Sequence, residues 1–191
     1  MNEQTSKQSD SVKSGIVKGI KTTGDITQAT VDAVSSTLAM TLEDAGKVGN
    51  SAVGAIANVA DGAVRGATEV GGSLGQTAKG VVVGVLRGTK HVGEQAIDTI
   101  GHTAESMIHR TSEAGGELGH AAVGLVEGAI HSAKDLGVSA EDAASAAAHG
   151  ALRGADKVGS QALETVRHAM TQTISGVKVV LKEPFKRSKS A

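Results

Sequence analysis

An aliphatic side chain returns to the same place in an eleven-residue frame along most of this chain: Ile20, Val31, Leu42, Val53, Val64, Leu86, Ile97, Ile108, Ile130, Leu152, Leu163 and Ile174. The clearest blocks are VADGAVRGATE, VGGSLGQTAKG and VVVGVLRGTKH, running from Val59 to His91. Eleven residues make three helical turns of about 3.67 residues each, so the period predicts α-helix on a straight or weakly right-handed path. Successive residues then stand about 98° apart, which gathers five of the eleven places into one arc of about 130°. That arc holds Val, Ala, Leu, Ile, Thr and Gly, while Asp61, Arg65, Glu69, Arg87, Asp98, Glu105, Glu127 and Arg153 fall opposite. The places between the arcs are small: Gly62, Gly66, Gly84, Gly88, Gly128, Gly150 and Gly154.

A longer beat runs through the same stretch. Gly49, Gly71, Gly93, Gly115, Gly137 and Gly159 are spaced 22 residues apart, and GAVRGA, GVLRGT, GAIHSA and GALRGA begin at Gly62, Gly84, Gly128 and Gly150. The expected fold is therefore all-α, with long amphipathic helices built from 11- and 22-residue repeats. Gly-Gly in VGGSLG and AGGELG marks where a helix kinks or turns, so the helices are expected to hinge into hairpins near Gly71-Gly72, Gly115-Gly116 and Gly137. Ser139 with Asp142 three later resembles a capping box and predicts a helix start at Ala140, running to Leu181 before Pro184 ends it. Residues 1–14 are polar and are expected to be disordered. Residues 15–181 form the helical repeat region, with residues 15–47 read as one helix, and 182–191 a basic tail.

The chain has one Phe, no Tyr and no Trp, so its apolar surface comes from Val and Ala at low payload per residue. It also has 26 Gly, each costing roughly 1 kcal/mol against Ala inside a helix. Such helices are intrinsically weak and need a cover for the apolar arc, either a lipid surface or another copy of the repeat. The deepest side chains of that working face are Val64, Leu86, Ile97, Ile108, Ile130, Leu152 and Leu163. The GxxxG pairs Gly62/Gly66, Gly84/Gly88 and Gly150/Gly154 place two glycines on one stripe, where another backbone can approach closely.

Catalysis has no footprint. There is no HExxH, GxSxG or phosphate loop, and the carboxylates are spread along the polar arc. Of the seven histidines, His91 and His102 share one place of the repeat and His109, His120 and His131 another, so neighbours in each series stand about 16.5 Å apart, too far for one ion, and neither a metal site nor a cofactor is expected. Without cysteine there is no disulfide or thiolate chemistry. No apolar run approaches the ~18 residues of a membrane span, and the polar start does not read as a secretory signal, so a cytoplasmic address is expected. Residues 15–177 carry 12 Lys or Arg against 17 Asp or Glu, while residues 178–191 carry five basic groups and Glu183. A basic face along the whole length is missing, so neither a nucleic-acid partner nor a small-molecule substrate is expected. In the tail, Lys182, Phe185, Lys186, Arg187 and Lys189 could anchor the chain to an anionic membrane face, each cation contributing on the order of 1 kcal/mol.

Gln76 to Val81, QTAKGV, resembles the imperfect eleven-residue motif of the synucleins, and VVVGVLRGTKHVGEQAIDTIGHTAES has their Val/Gly/Ala/Thr texture. The resemblance implies a chain that is largely disordered in water and becomes a long helix on acidic or curved lipid surfaces. Perilipins and apolipoproteins, with elevens or 22s of their own, imply a related habit, and late-embryogenesis-abundant proteins a stress-protective one. This chain departs from the synuclein pattern in that its repeats are net acidic and not lysine-rich. Taken together, the sequence predicts a non-catalytic protein that associates with lipid or a membrane surface. The alternatives are a self-assembling helical bundle or filament and a stress-protective chain.

Overall fold

The chain turns where glycine lets it. The computed structural model describes residues 3–45, 50–89, 94–171 and 173–179, and within them the protein is all-α. The helices are α1 (Glu3–Thr23), α2 (Ile26–Ala45), α3 (Asn50–Glu69), α4 (Leu74–Thr89), α5 (Glu94–Glu113), α6 (Leu118–Ser132), α7 (Ala140–Val158) and α8 (Ser160–Met170). After α8 comes a small antiparallel ribbon, β1 (Thr173–Ile174) with β2 (Val177–Lys178), its turn taking positive φ at Ser175 and Gly176.

Three of the helix ends are built alike. Gly71, Gly115 and Gly137 have φ of 65°, 68° and 68°, a left-handed conformation that glycine adopts without a Cβ penalty. Around them the freed carbonyls find the same partners: Gly72 N–H donates to Ala67 O at 2.8 Å, Gly116 to Thr111 O at 2.8 Å and Val138 to Ala133 O at 3.1 Å. The residue before each donates three back, which completes a Schellman stop. α7 begins at Ala140, with the Ser139 hydroxyl accepting from Asp142 N–H at 3.0 Å and donating to Asp142 Oδ2 at 2.7 Å.

Each helix packs on its neighbour in sequence and on the helix two further along: α1, α3, α5 and α7 adjoin in one layer, and α2, α4, α6 and α8 in the other. The apolar arcs meet between the layers. Val59, Val81, Val82, Val85, Ile100, Met107, Leu125 and Val126 are fully buried there, interleaved with Ala63, Ala104, Ala129 and Ala147. Small side chains suffice because the helices lie close together, and dispersion across a close-packed interior replaces the payload that aromatic residues would bring.

The structure differs from the sequence reading in three places. Residues 1–14, expected to be disordered, instead contribute to α1, which runs from Glu3 because Ser9, Val12 and Ile16 share one face and are buried against the other helices. The single helix expected over residues 15–47 breaks at Gly24 (φ 69°), where Asp25 Oδ1 accepts from Thr27 N–H at 2.8 Å and starts α2. The helix expected to continue to Leu181 breaks at Gly159 and ends at Met170, after which Ile174 and Val179 turn back onto the core. Gly49, Gly93, Pro184 and the tail residues Lys182, Phe185, Lys186, Arg187 and Lys189 lie outside the described residues. Among the described residues no helix is long and apolar enough to cross a membrane.

Candidate functional site

Glycines set how closely the helices of one layer approach. A Cβ on Gly62 would strike the Ser9 carbonyl of α1, and one on Gly66 would stand 3.3 Å from Lys13 and Ile16. Gly84 and Gly88 seat against Val34 and Leu38 of α2, each at 2.8 Å. Gly150 would strike the Gly101 carbonyl of α5, and Gly154 would stand 2.6 Å from the Glu105 carbonyl. All three GxxxG pairs thus face a neighbouring backbone, and Gly80, Gly124 and Gly128, outside those pairs, do the same on α2 and α4. The second glycine of each double-glycine turn is also a seat: Gly72 receives the tip of Ile26, and Gly116 the tip of Leu74.

Between α6 and α8 both devices lapse. Counting 44 residues on from Gly72 and Gly116 gives Ser160, and 44 on from Gly80 and Gly124 gives His168. With side chains where the earlier helices have none, α8 stands off. The Cβ position of Gly119 on α6 is 3.9 Å from Thr165 and Ala169, whereas that of Gly75, its counterpart on α4, is 3.0 Å from the His120 carbonyl. The gap is an open groove of about 930 Å³ floored by Gly119, Val123, Val158, Ala162 and Ala169 and rimmed by Glu117, His120, Gln161, Thr165 and His168. Val158, 39% exposed, is one of three large apolar side chains described as exposed, with Met40 and Val53. Sequence reasoning missed this groove, although the signal was present in the broken 44-residue glycine series.

The residues read as the working apolar face are not gathered on an outer surface. Val64, Leu86 and Ile108 are at most 3% exposed inside the core, and Ile130, Leu152 and Leu163 are half-buried against it. Ile97 is also half-buried and lines a smaller cavity with Val138, Asp142 and His149.

Charged groups sit on the outer faces, where they tie helices together. Lys13 meets Glu69 at 2.6 Å, Arg65 meets Asp10 at 3.2 Å and Lys79 meets Glu127 at 3.6 Å. Glu105 receives both Arg153, at 3.0 Å, and Lys157. Burial pushes the Glu105 carboxyl up, but hydrogen bonds and charge from Lys157 and Arg153 outweigh it and hold the group below its ordinary range. Glu105 and Glu127 stand four residues before His109 and His131 but meet these cross-helix cations instead. His109 turns instead to Glu113 at 3.6 Å, whose carboxyl is lowered chiefly by its hydrogen bond from Arg110. His120 pairs with Glu117 at 2.8 Å on the groove rim. Among the described residues no three His, Asp or Glu side chains converge to hold a metal ion. In comparisons with known proteins, no family model matches the chain, and neither a curated protein nor a solved structure matches it.

Proposed function

We propose that this is a non-catalytic helical-repeat protein whose repeats use their apolar arcs to pack on one another within a single chain. The observation that carries the reading is the burial of Val64, Leu86 and Ile108 beneath helices seated on glycine. On this reading the 22-residue unit is one helix and its turn, two units are a helical hairpin, and four hairpins stack as a short solenoid. The ends support a closed bundle over a filament. The first hairpin shows exposed Ser14, Lys18, Thr22 and Ser36 at places where later hairpins carry glycine seats or Asn58, and the ribbon covers the last hairpin with Ile174 and Val179. Stacking of further copies would take Ser14, Lys18 and Ser36 out of water.

Lipid-surface association stays as the second reading. It is favoured by the helices themselves: each keeps its own apolar arc, and among the described residues the core holds neither aromatic side chains nor charged ones that opening would have to separate. A surface could therefore replace the neighbouring helices, with the basic tail as anchor. Far-ultraviolet circular dichroism separates the two. The packing reading expects a strongly helical spectrum and a cooperative melt in plain buffer, both unchanged by neutral or anionic vesicles. A coil spectrum in buffer that becomes helical on vesicles would overturn it in favour of lipid, and one that becomes helical only on drying would point to the stress-protective alternative.

A further inference from the structure

We propose that the groove between α6 and α8 is the docking site for the protein's own C-terminal segment, residues 180–191, with Phe185 seated against Val123 and Val158. The inference rests on the packed fold. Two departures from the 44-residue glycine series, Ser160 and His168, leave α6 and α8 apart and leave Val158 exposed on the groove floor. The described chain stops at Val179, which is 9% exposed, so the segment beyond it starts from the core surface next to α7. That segment reads VLKEPFKRSKSA. Fully extended it reaches up to about 40 Å, and the eleven residues of α8 rise only about 16 Å, so the segment can run back along the whole groove.

The chemistry on the two sides matches. The segment brings Val180, Leu181 and the single phenylalanine ring of the chain, and the groove offers Val123, Val158, Ala162 and Ala169, small enough beneath to admit a ring. Glu117, 79% exposed at the groove mouth, stands in a helical region with an excess of carboxylates, whereas the segment carries Lys182, Lys186, Arg187 and Lys189 against Glu183. A hydrocarbon chain would fill the floor but offer nothing to the polar side chains of Gln161 and His168 on the rim. An extended peptide has backbone N–H and C=O groups for them.

Because Phe185 is the single phenylalanine, selective labelling of phenylalanine lets its ring protons be followed apart from the seven histidine rings in an NMR spectrum of the full chain. Docking predicts ring-to-methyl nuclear Overhauser contacts with Val123 and Val158, and ring shifts displaced from coil values. Val158→Asp, a change at an exposed site, should abolish those contacts while leaving the helical spectrum of the protein intact. Coil-like ring shifts in a helical sample would overturn the inference and leave the packed fold standing, whereas a coil far-ultraviolet spectrum would overturn the fold first. Contacts seen only between differently labelled copies, or only after adding vesicles containing phosphatidylserine, would equally overturn it, assigning the segment to a second molecule or to a membrane.

Discussion

At the scale of single residues, glycine acts in opposite senses at positions that look alike in sequence. A Cβ on Gly150 would collide with the Gly101 carbonyl, which belongs to a helix backbone and cannot swing aside. Gly150→Ala should gain about 1 kcal/mol in helix propensity yet lose more through overpacking, which typically costs about 1–3 kcal/mol. Its urea midpoint should fall. Gly54 is the control: it is exposed inside α3 with no atom within 4 Å of its Cβ position, so Gly54→Ala should raise the midpoint, by up to about 1 kcal/mol. Helices lying singly on a surface would gain from both changes, so a rise in both would remove the packing account. The GxxxG spacing announced that some backbone comes close to Gly150 and Gly154. It could not say that the backbone is α5, because a stripe records a near approach and not the identity of what approaches.

At the scale of elements, the helix stops near Gly71, Gly115 and Gly137 were legible in the sequence, whereas the break at Gly159, on the same 22-residue beat, was read as continuous helix. VGGSLG and AGGELG place Gly71 and Gly115 in the left-handed region, and Ser139 with Asp142 fixes the start of α7. The break at Gly24 falls off the beat, which is why residues 15–47 read as one helix. The start of α1, before residue 15, was missed because polar residues surround Ser9 and Val12 there, and composition averages that pair away. The two glycines of a turn have separable roles. Gly115 has φ 68° and nothing within 4 Å of its Cβ position, so Gly115→Ala should cost only the backbone penalty, about 1–2 kcal/mol. A Cβ on Gly116 would strike Leu74 and stand 2.9 Å from the Thr111 methyl, so Gly116→Ala should lower the melting temperature further, by loosening α4 from α5. Equal losses in thermal melts of the two variants would mean that the hairpin tips do not nest.

For the whole molecule, the eleven-residue period specified that every helix has an apolar arc and left open what covers it. Pairing is decided elsewhere, by which helices carry glycine at the place where the helix two behind must lie, and the groove is where that supply runs out. The same rule predicts a gradient of stability. α4 lies between α2 and α6, seats on one through Gly80, Gly84 and Gly88, receives the other through Gly124 and Gly128, and has every side chain from Val81 to Leu86 buried. α8 has Ala162, Val166 and Met170 buried and no glycine seat on α6. α3 and α5 form a second, lesser seam: they adjoin less extensively than α5 and α7, because Ser106 and Arg110 stand where α7 carries Gly150 and Gly154. Local opening tracks buried contact, so exchange should be staged. In native-state hydrogen exchange the amides of α8 and the ribbon should open first, at least about tenfold faster than those of α4, which should exchange only through global unfolding. A tenfold difference corresponds to about 1.4 kcal/mol, which is within reach of the contacts that one poorly seated helix forgoes. If α8 is protected as strongly as α4, the glycine series does not govern how the helices hold together.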